Sequence, residues 1–349
     1  MEKKLNFFGI ETIVESDNQA FLDMAEGSLS FFKQANNKNA PIFKDRKLRV
    51  RLFLNDRLDI EKASLGFSKI GTDAFIKDKE CLFGIGRLAV KIADSDGILN
   101  VFACPRRFNN PKTSLKTFLL YNFAAKKIDF FPLIRMLILF PVFTLLEQEK
   151  NIFLLHASAV EFNGRGIIFS GLNSVGKSMM ALALTLDKGA KFLTDNFLLF
   201  GEDHIYPFPE YIRLRDDAMR LIANISKLEN PLTRRYGRNH YILDDKFIAG
   251  VICPKILFFP QLSEKKFVRQ ISKDVAIDRL LLVNDHVKEF HNYNFIGLMS
   301  YAIDKNKSFY KKRIETLEKL LSRLSVYEIG IGESAKLADT LEKVILDVH

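Results

Sequence analysis

Cysteine is scarce in this chain: its 349 residues hold three, Cys81, Cys104 and Cys253. An odd number at such wide spacing makes neither a disulfide framework nor a C-x-x-C metal pair. Buried thiols in a reducing compartment fit that usage. The apolar part of the N-terminal stretch Met-Glu-Lys-Lys-Leu-Asn-Phe-Phe is too short for a secretion signal. Long uninterrupted apolar runs are lacking as well. The nearest candidate, residues 128–146, carries Arg135 near its middle and prolines at 132 and 141, which argues against a membrane span. It reads as a buried helix broken by Pro141 and packed beside the second domain, and the protein as cytoplasmic with no membrane partner. No repeat period or low-complexity segment stands out. Neither a zinc knuckle, an RRM signature nor a helix-turn-helix pattern is present, so nucleic acid is a poor fit as partner.

What the chain does have is a globular composition, 48% hydrophobic and 27% charged. Its formal charge of +10 favours anionic ligands, although many of the lysines are scattered as on a solvated face.

The informative stretch is the octapeptide Gly171-Leu172-Asn173-Ser174-Val175-Gly176-Lys177-Ser178, which fits G-x-x-x-x-G-K-[ST] at every fixed position. A β-rich run, Gly166-Ile-Ile-Phe-Ser170, leads into it. A helix-forming run at 177–188 leaves it, with Gly189 at the expected C-cap. Gly171 and Gly176 let the backbone curl so that successive N–H groups face an anion. The helix aims its positive end at the same point, Lys177 adds charge near the outer phosphates, and Ser178 offers a hydroxyl to Mg²⁺. The expected ligands are therefore ATP and Mg²⁺, with residues 171–178 binding the nucleotide.

Upstream, Asn163-Gly164 between two apolar runs signals a two-residue hairpin, pairing the His156 strand antiparallel with the Ile167 strand. Downstream, Asp195-Asn196 interrupts the apolar strand 189–200, a costly placement unless it serves a ligand. This layout of histidine strand, Asn-Gly hairpin, phosphate loop, helix and Gly-Ala-Lys-Phe-Leu-Thr-Asp strand resembles the HPr serine kinase family. It is most similar to the HPr-kinase-like proteins of peptide-modification gene clusters. The resemblance covers about residues 150–205 well and reaches loosely to about 260. It implies an α/β (α+β) fold, a P-loop kinase core of the HPr kinase/PEP carboxykinase type, at 128–349. A β-rich domain of unknown role would precede it at 1–127. It further implies Asp195 as base toward an acceptor hydroxyl, His156 as an assistant near the phosphate, and Lys177 as the third catalytic residue. Ser178 and Asn196 would contact the metal. The sequence departs from the family where Asn196 replaces the second acid and Met179 a glutamate. Gly237-Arg238-Asn239 matches the family's second signature in letters but not in surroundings. These departures point away from HPr itself as acceptor and from the reverse phosphorylase reaction.

Elsewhere, residues 1–125 read as short strands, among them 47–54, 74–76, 81–83, 88–92 and 98–103. They suggest an antiparallel sheet or half-barrel with loops at 36–39 and 107–111. Phe7, Phe8, Phe31, Phe32, Phe53 and Phe102 read as core. Residues 211–215 should lead to an amphipathic helix ending near Leu228. The basic run 234–240 reads as a loop, either solvated or closing over phosphates as an arginine clamp does. Residues 256–260 read as a core strand, and 308–325 and 333–348 as helices.

The leading expectation is an ATP-dependent kinase acting on a Ser or Thr hydroxyl of a peptide, a small protein or free serine, lasso-type peptide modification being the most specific version. Its rivals are a nucleotide-binding regulatory or scaffold protein without chemistry, and an ordinary P-loop NTPase, which predicts a continuous parallel sheet. A homo-oligomer is compatible with all three.

Overall fold

The computed structural model describes residues 1–29, 46–107, 130–208, 210, 212–228, 233–235, 238–303, 309–332 and 337–348. It is a mixed α/β protein that parts into two compact units. The first gathers the chain up to Lys150 together with His291–Phe309, and the second holds Asn151–Phe290 and Tyr310–His349. The first unit thus reaches past residue 127 and takes in the apolar segment that sequence analysis attached to the second.

The first unit is built on eight strands: β1 (Glu2–Phe7), β2 (Ile10–Ser16), β3 (Lys47–Leu52), β4 (Ser68–Gly71), β5 (Ala74–Lys77), β6 (Glu80–Ile85), β7 (Leu88–Ser95) and β8 (Ile98–Pro105). Their order is β1-β2-β3-β8-β7-β6-β5-β4. The expected antiparallel sheet is in fact mixed, because β2, β3 and β8 run parallel. A parallel step needs a crossover, and helix Gln19–Leu29 lies between β2 and β3. Phe7 and Phe8 are buried, while Phe53 and Phe102 pair at 6.2 Å. Phe31, Phe32 and the two expected loops, except Arg107, lie outside the described residues.

The apolar segment forms one helical run, Phe131–Lys150, long and apolar enough to cross a membrane by length and composition but mostly buried. Pro141 does not break it. The chain widens into a π-helical turn at Arg135–Leu139, where the Phe140 N–H reaches back to Arg135 O. That turn absorbs the carbonyl clash and the missing donor a proline brings. Arg135 is buried with its guanidinium 4.6 Å from the Phe131 ring centroid.

In the second unit six strands form the main sheet: β10 (Ala157–Phe162), β11 (Arg165–Ser170), β12 (Lys191–Thr194), β18 (Pro254–Gln261), β19 (Phe267–Gln270) and β20 (Ser325–Gly330). They lie in the order β12-β10-β11-β18-β20-β19. Strands β11, β18 and β20 are parallel and the others antiparallel. This is not the continuous parallel sheet of the NTPase rival. Consecutive residues of β11 and β18 alternate between two cores. Ile167, Phe169, Ile256 and Phe258 join the cluster containing helices Lys177–Lys188 and Leu337–Asp347. Ile168, Leu257 and Phe259 join that of helices Lys273–His286 and Phe309–Ser322. Helices therefore cover both faces, and the strands are apolar throughout, as such a layered sheet requires.

A small sheet of β9 (Phe153–Leu155), β13 (Leu198–Phe200) and β14 (Ile205–Tyr206) continues from one edge. Strands β15 (Ile212–Leu214), β16 (Thr233–Arg235) and β17 (Arg238–Tyr241) form a third sheet. Two expectations change here. The helix meant to end near Leu228 is only Asp216–Met219 with a single 3₁₀ turn at Ile225–Lys227. The described part of the basic run lies in the paired strands β16 and β17 rather than in a loop. In the C-terminal part, the helices begin and end close to expectation, and strand β20 fills the interval between them, which the sequence reading leaves unassigned apart from Ser325.

Candidate functional site

The Asn-Gly hairpin forms as its residues dictate. Asn163 and Gly164 take φ of 52° and 75°, and β10 pairs with β11 from Ala157↔Ser170 to Phe162↔Arg165. Both turn residues need positive φ, which asparagine and glycine tolerate. Strand β11 then delivers the chain to the loop. Gly171 and Gly176 have φ of 148° and 94°, and Ser174 enters the left-handed region at 67°. The loop opens directly into helix Lys177–Lys188, whose N-cap Gly176 supplies no side-chain cap. The first-turn N–H groups are left to an external acceptor.

Lys177 is buried at this mouth. Its Nζ donates to Gly171 O and Leu172 O, both at 2.8 Å, so the loop holds its own cation. Burial pulls the Lys177 ammonium down to about 8, against the opposing pull of the Asp195 charge. A desolvated cation inside a curl of main-chain amides suits a polyphosphate, which restores the charge lost with water.

The acidic pair is not inside a strand, as the sequence suggested, but between two. Strand β12 ends at Thr194 and β13 starts at Leu198. His156 occupies the equivalent break between β9 and β10. Because β10 pairs with β12 and β9 with β13, both chains of this ribbon leave the main sheet at one place. That place is the site. Asn196 takes φ 73°, and the Thr194 hydroxyl lies 2.6 Å from Phe197 O and 2.9 Å from Phe208 O, closing the bend. His156 Nδ1 donates to Asn196 O at 3.2 Å; a carbonyl only accepts, which puts the proton on Nδ1.

At the centre lies Asp195, 2% exposed. Its Oδ1 accepts from the loop's Ser178 Oγ at 2.6 Å and from Ser158 Oγ at 2.6 Å. Its Oδ2 is met by Asn196 Nδ2 at 3.5 Å. The structure therefore brings Asp195, Ser178, Asn196 and His156 to one end of the loop that carries Lys177. For Mg²⁺, which takes one or two protein oxygens and the rest from phosphate and water, the adjoining oxygens of Ser178 and Asp195 are a fitting donor pair. Among the described residues no group of three or more His, Cys, Asp or Glu is gathered for a metal.

Leu172, Asn173 and Ser174 are exposed along the loop's outer turn, with Val175 half-buried. The basic run at 234–240 contributes nothing describable here, its arginine side chains lying outside the described ones. Sequence reasoning missed two participants. Ser158 stands two residues beyond His156 in an apolar strand, a signal that was legible. Asn284 was not: it comes from helix Lys273–His286, accepts from the His156 N–H at 2.8 Å and donates to Leu154 O at 3.0 Å. Being buried, it replaces the ladder bonds lost at the strand break.

No protein-family profile and no curated protein matches the chain. Among solved structures it is similar to the Hpr(Ser) kinase/phosphatase from Coxiella burnetii, over 56% of this chain and 95% of that chain. The identity is 11% and the TM-score 0.26, values at which the match carries no weight for function.

Proposed function

We propose that this protein is a cytoplasmic P-loop kinase of the HPr serine kinase type, transferring the terminal phosphoryl group of ATP to a Ser or Thr hydroxyl. The acceptor is a peptide, a small protein or free serine. The observation that carries this reading is the buried Asp195 carboxylate hydrogen-bonded to Ser178 of the loop at 2.6 Å. It sets an acid at the outer end of an anion cradle, which is what phosphoryl transfer to an alcohol needs.

In this reading the loop amides and the Lys177 ammonium hold the polyphosphate and meet the charge that develops on it. Ser158 and Ser178 occupy Oδ1 of Asp195, so Oδ2 takes the proton of the acceptor hydroxyl. The alcohol oxygen then bonds to the terminal phosphorus as the bridging P–O bond to the nucleoside diphosphate breaks. Bound Mg²⁺ would add neutralisation of phosphate charge, with the adjoining oxygens of Ser178 and Asp195 as its protein-side donors. His156, with its proton on Nδ1 toward Asn196 O, positions the Asp195-Asn196 bend.

The test is label transfer from γ-labelled ATP to serine and threonine peptides and to free serine. Lys177→Ala should lose nucleotide binding. Asp195→Asn should keep it, while transfer drops at least about 100-fold. Normal transfer by Asp195→Asn would remove the base assignment. The rival reading, a nucleotide-binding scaffold, is favoured by Asn196 standing where a second acid would add charge. Wild-type binding with no transfer to any hydroxyl would establish it.

A further inference from the structure

A cavity of about 630 Å³ adjoins the loop at the carboxyl ends of β11 and β18. Leu172 and Val175 of the loop, Phe259 and Leu262 from the end of β18, and Leu282 and Val283 of helix Lys273–His286 form its apolar walls. Its volume lies within the roughly 300–1,000 Å³ of ligand pockets. Leu172, Leu262 and Leu282 are 51%, 81% and 67% exposed, an apolar patch that water covers poorly.

Taking the triphosphate reading as its premise, we infer that this cavity receives an apolar side chain of a peptide acceptor, beside the residue that is phosphorylated. Two observations choose this occupant. The first is position. Lys177 Nζ, the cation for the outer phosphates, rests on the carbonyls of Gly171 and Leu172, and these two residues also line the cavity. The cavity therefore opens beside the cation that meets the outer phosphates, where the terminal phosphoryl group leaves. The second is chemistry. A nucleobase is recognised by free polar groups, and the polar lining is Gln261, Arg279 and His286. Gln261 and Arg279 are both committed to the buried carboxylate of Glu328, Arg279 at 2.8 Å. Arg279 also lies over the Phe259 ring, 5.5 Å from its centroid. What remains is an apolar slot with the His286 ring on its lining. Free serine has nothing to place in it, so among acceptors it selects peptides carrying a bulky aliphatic or aromatic residue near the hydroxyl.

The experiment uses the full chain with saturating Mg²⁺ and the non-hydrolysable ATP analogue AMP-PNP, so it does not depend on turnover. Two fluorescein-labelled peptides of equal charge, each with one serine, are titrated by anisotropy. One has leucines beside the serine and the other glycines. The leucine peptide should bind at least about tenfold tighter, in line with an apolar pocket's discrimination. Leu282→Glu and Leu262→Glu, both at exposed positions, should erase that difference while AMP-PNP affinity, which also reports the fold, stays within about twofold. Equal affinities for the two peptides with nucleotide bound normally would overturn this inference alone. A tenfold loss of AMP-PNP affinity in Leu282→Glu would also overturn it, giving the cavity to the nucleoside. Wild-type protein that binds no AMP-PNP would overturn the triphosphate reading, and this inference with it.

Discussion

Two hydroxyls on one oxygen make the carboxylate of Asp195 asymmetric. Ser158 and Ser178 each donate to Oδ1 at 2.6 Å, whereas Oδ2 has Asn196 Nδ2 at 3.5 Å. In the proposed reaction Ser178 also serves the nucleotide, which leaves Ser158 as the partner that holds Asp195 throughout. Ser158→Ala should lower kcat/KM about tenfold, the scale of one lost hydrogen bond to a charged group. Ser158→Thr should restore it, and steady-state kinetics of the three proteins checks this. An unchanged kcat/KM in Ser158→Ala would make Ser158 merely structural. Lys177 gives a second prediction at this scale. Burial brings its ammonium down to about 8, and a bound polyphosphate favours the charged form. Binding is then proton-linked: it is strongest below that value and weakens as pH rises through it. Calorimetric AMP-PNP titrations on either side should show affinity falling by up to about tenfold per pH unit on the alkaline side. A flat profile would mean Lys177 does not meet the phosphates.

Elements explain why the site forms and how far it could be read in advance. The hairpin at Asn163-Gly164, the glycine loop and helix Lys177–Lys188 ending at Gly189 were legible because each is fixed by its own few residues. The breaks that place His156 and Asp195 were not. They arise where the paired ribbons β10/β12 and β9/β13 turn from one sheet to another, a consequence of pairing rather than of local sequence. Strand β20 was hidden for a related reason. Its residues Ser325–Gly330 are held in register by β18 and β19, far away in sequence, and sit between two runs of helical period. Pro141 misled because a widened turn upstream, invisible in the letters, accommodates it. Asn284 ties these levels together, one helix side chain satisfying backbone groups on both sides of the His156 break. Asn284→Ala leaves a buried N–H and C=O without that partner and should cost about 2–3 kcal/mol. Urea unfolding measures the loss. Because the break is what aims His156 at Asn196, transfer activity should fall further than stability alone explains.

At the scale of the whole molecule, the glycine loop, the acid and the cavity belong to one of the two units, and each unit carries its own core. The Ile60, Phe75 and Leu82 cluster lies in the first and the clusters flanking the main sheet lie in the second. A segment from late in the chain completes the first unit, where Cys81 Sγ contacts Met299 O at 3.0 Å and Phe83 meets Phe295 edge-on at 5.0 Å. A ligand stabilises only the structure that binds it, by about 2.7 kcal/mol at a concentration 100 times its Kd. For a unit of this size that corresponds to a rise of about 5–10 °C in Tm. Scanning calorimetry with Mg²⁺ and AMP-PNP should therefore move one transition upward by that amount and leave the other in place. Lys177→Ala should abolish the shift. Two transitions rising together, or a single one, would instead mean that the cores unfold cooperatively. The late segment His291–Phe309, which leaves the second unit and returns to it, would then be the connection that couples them.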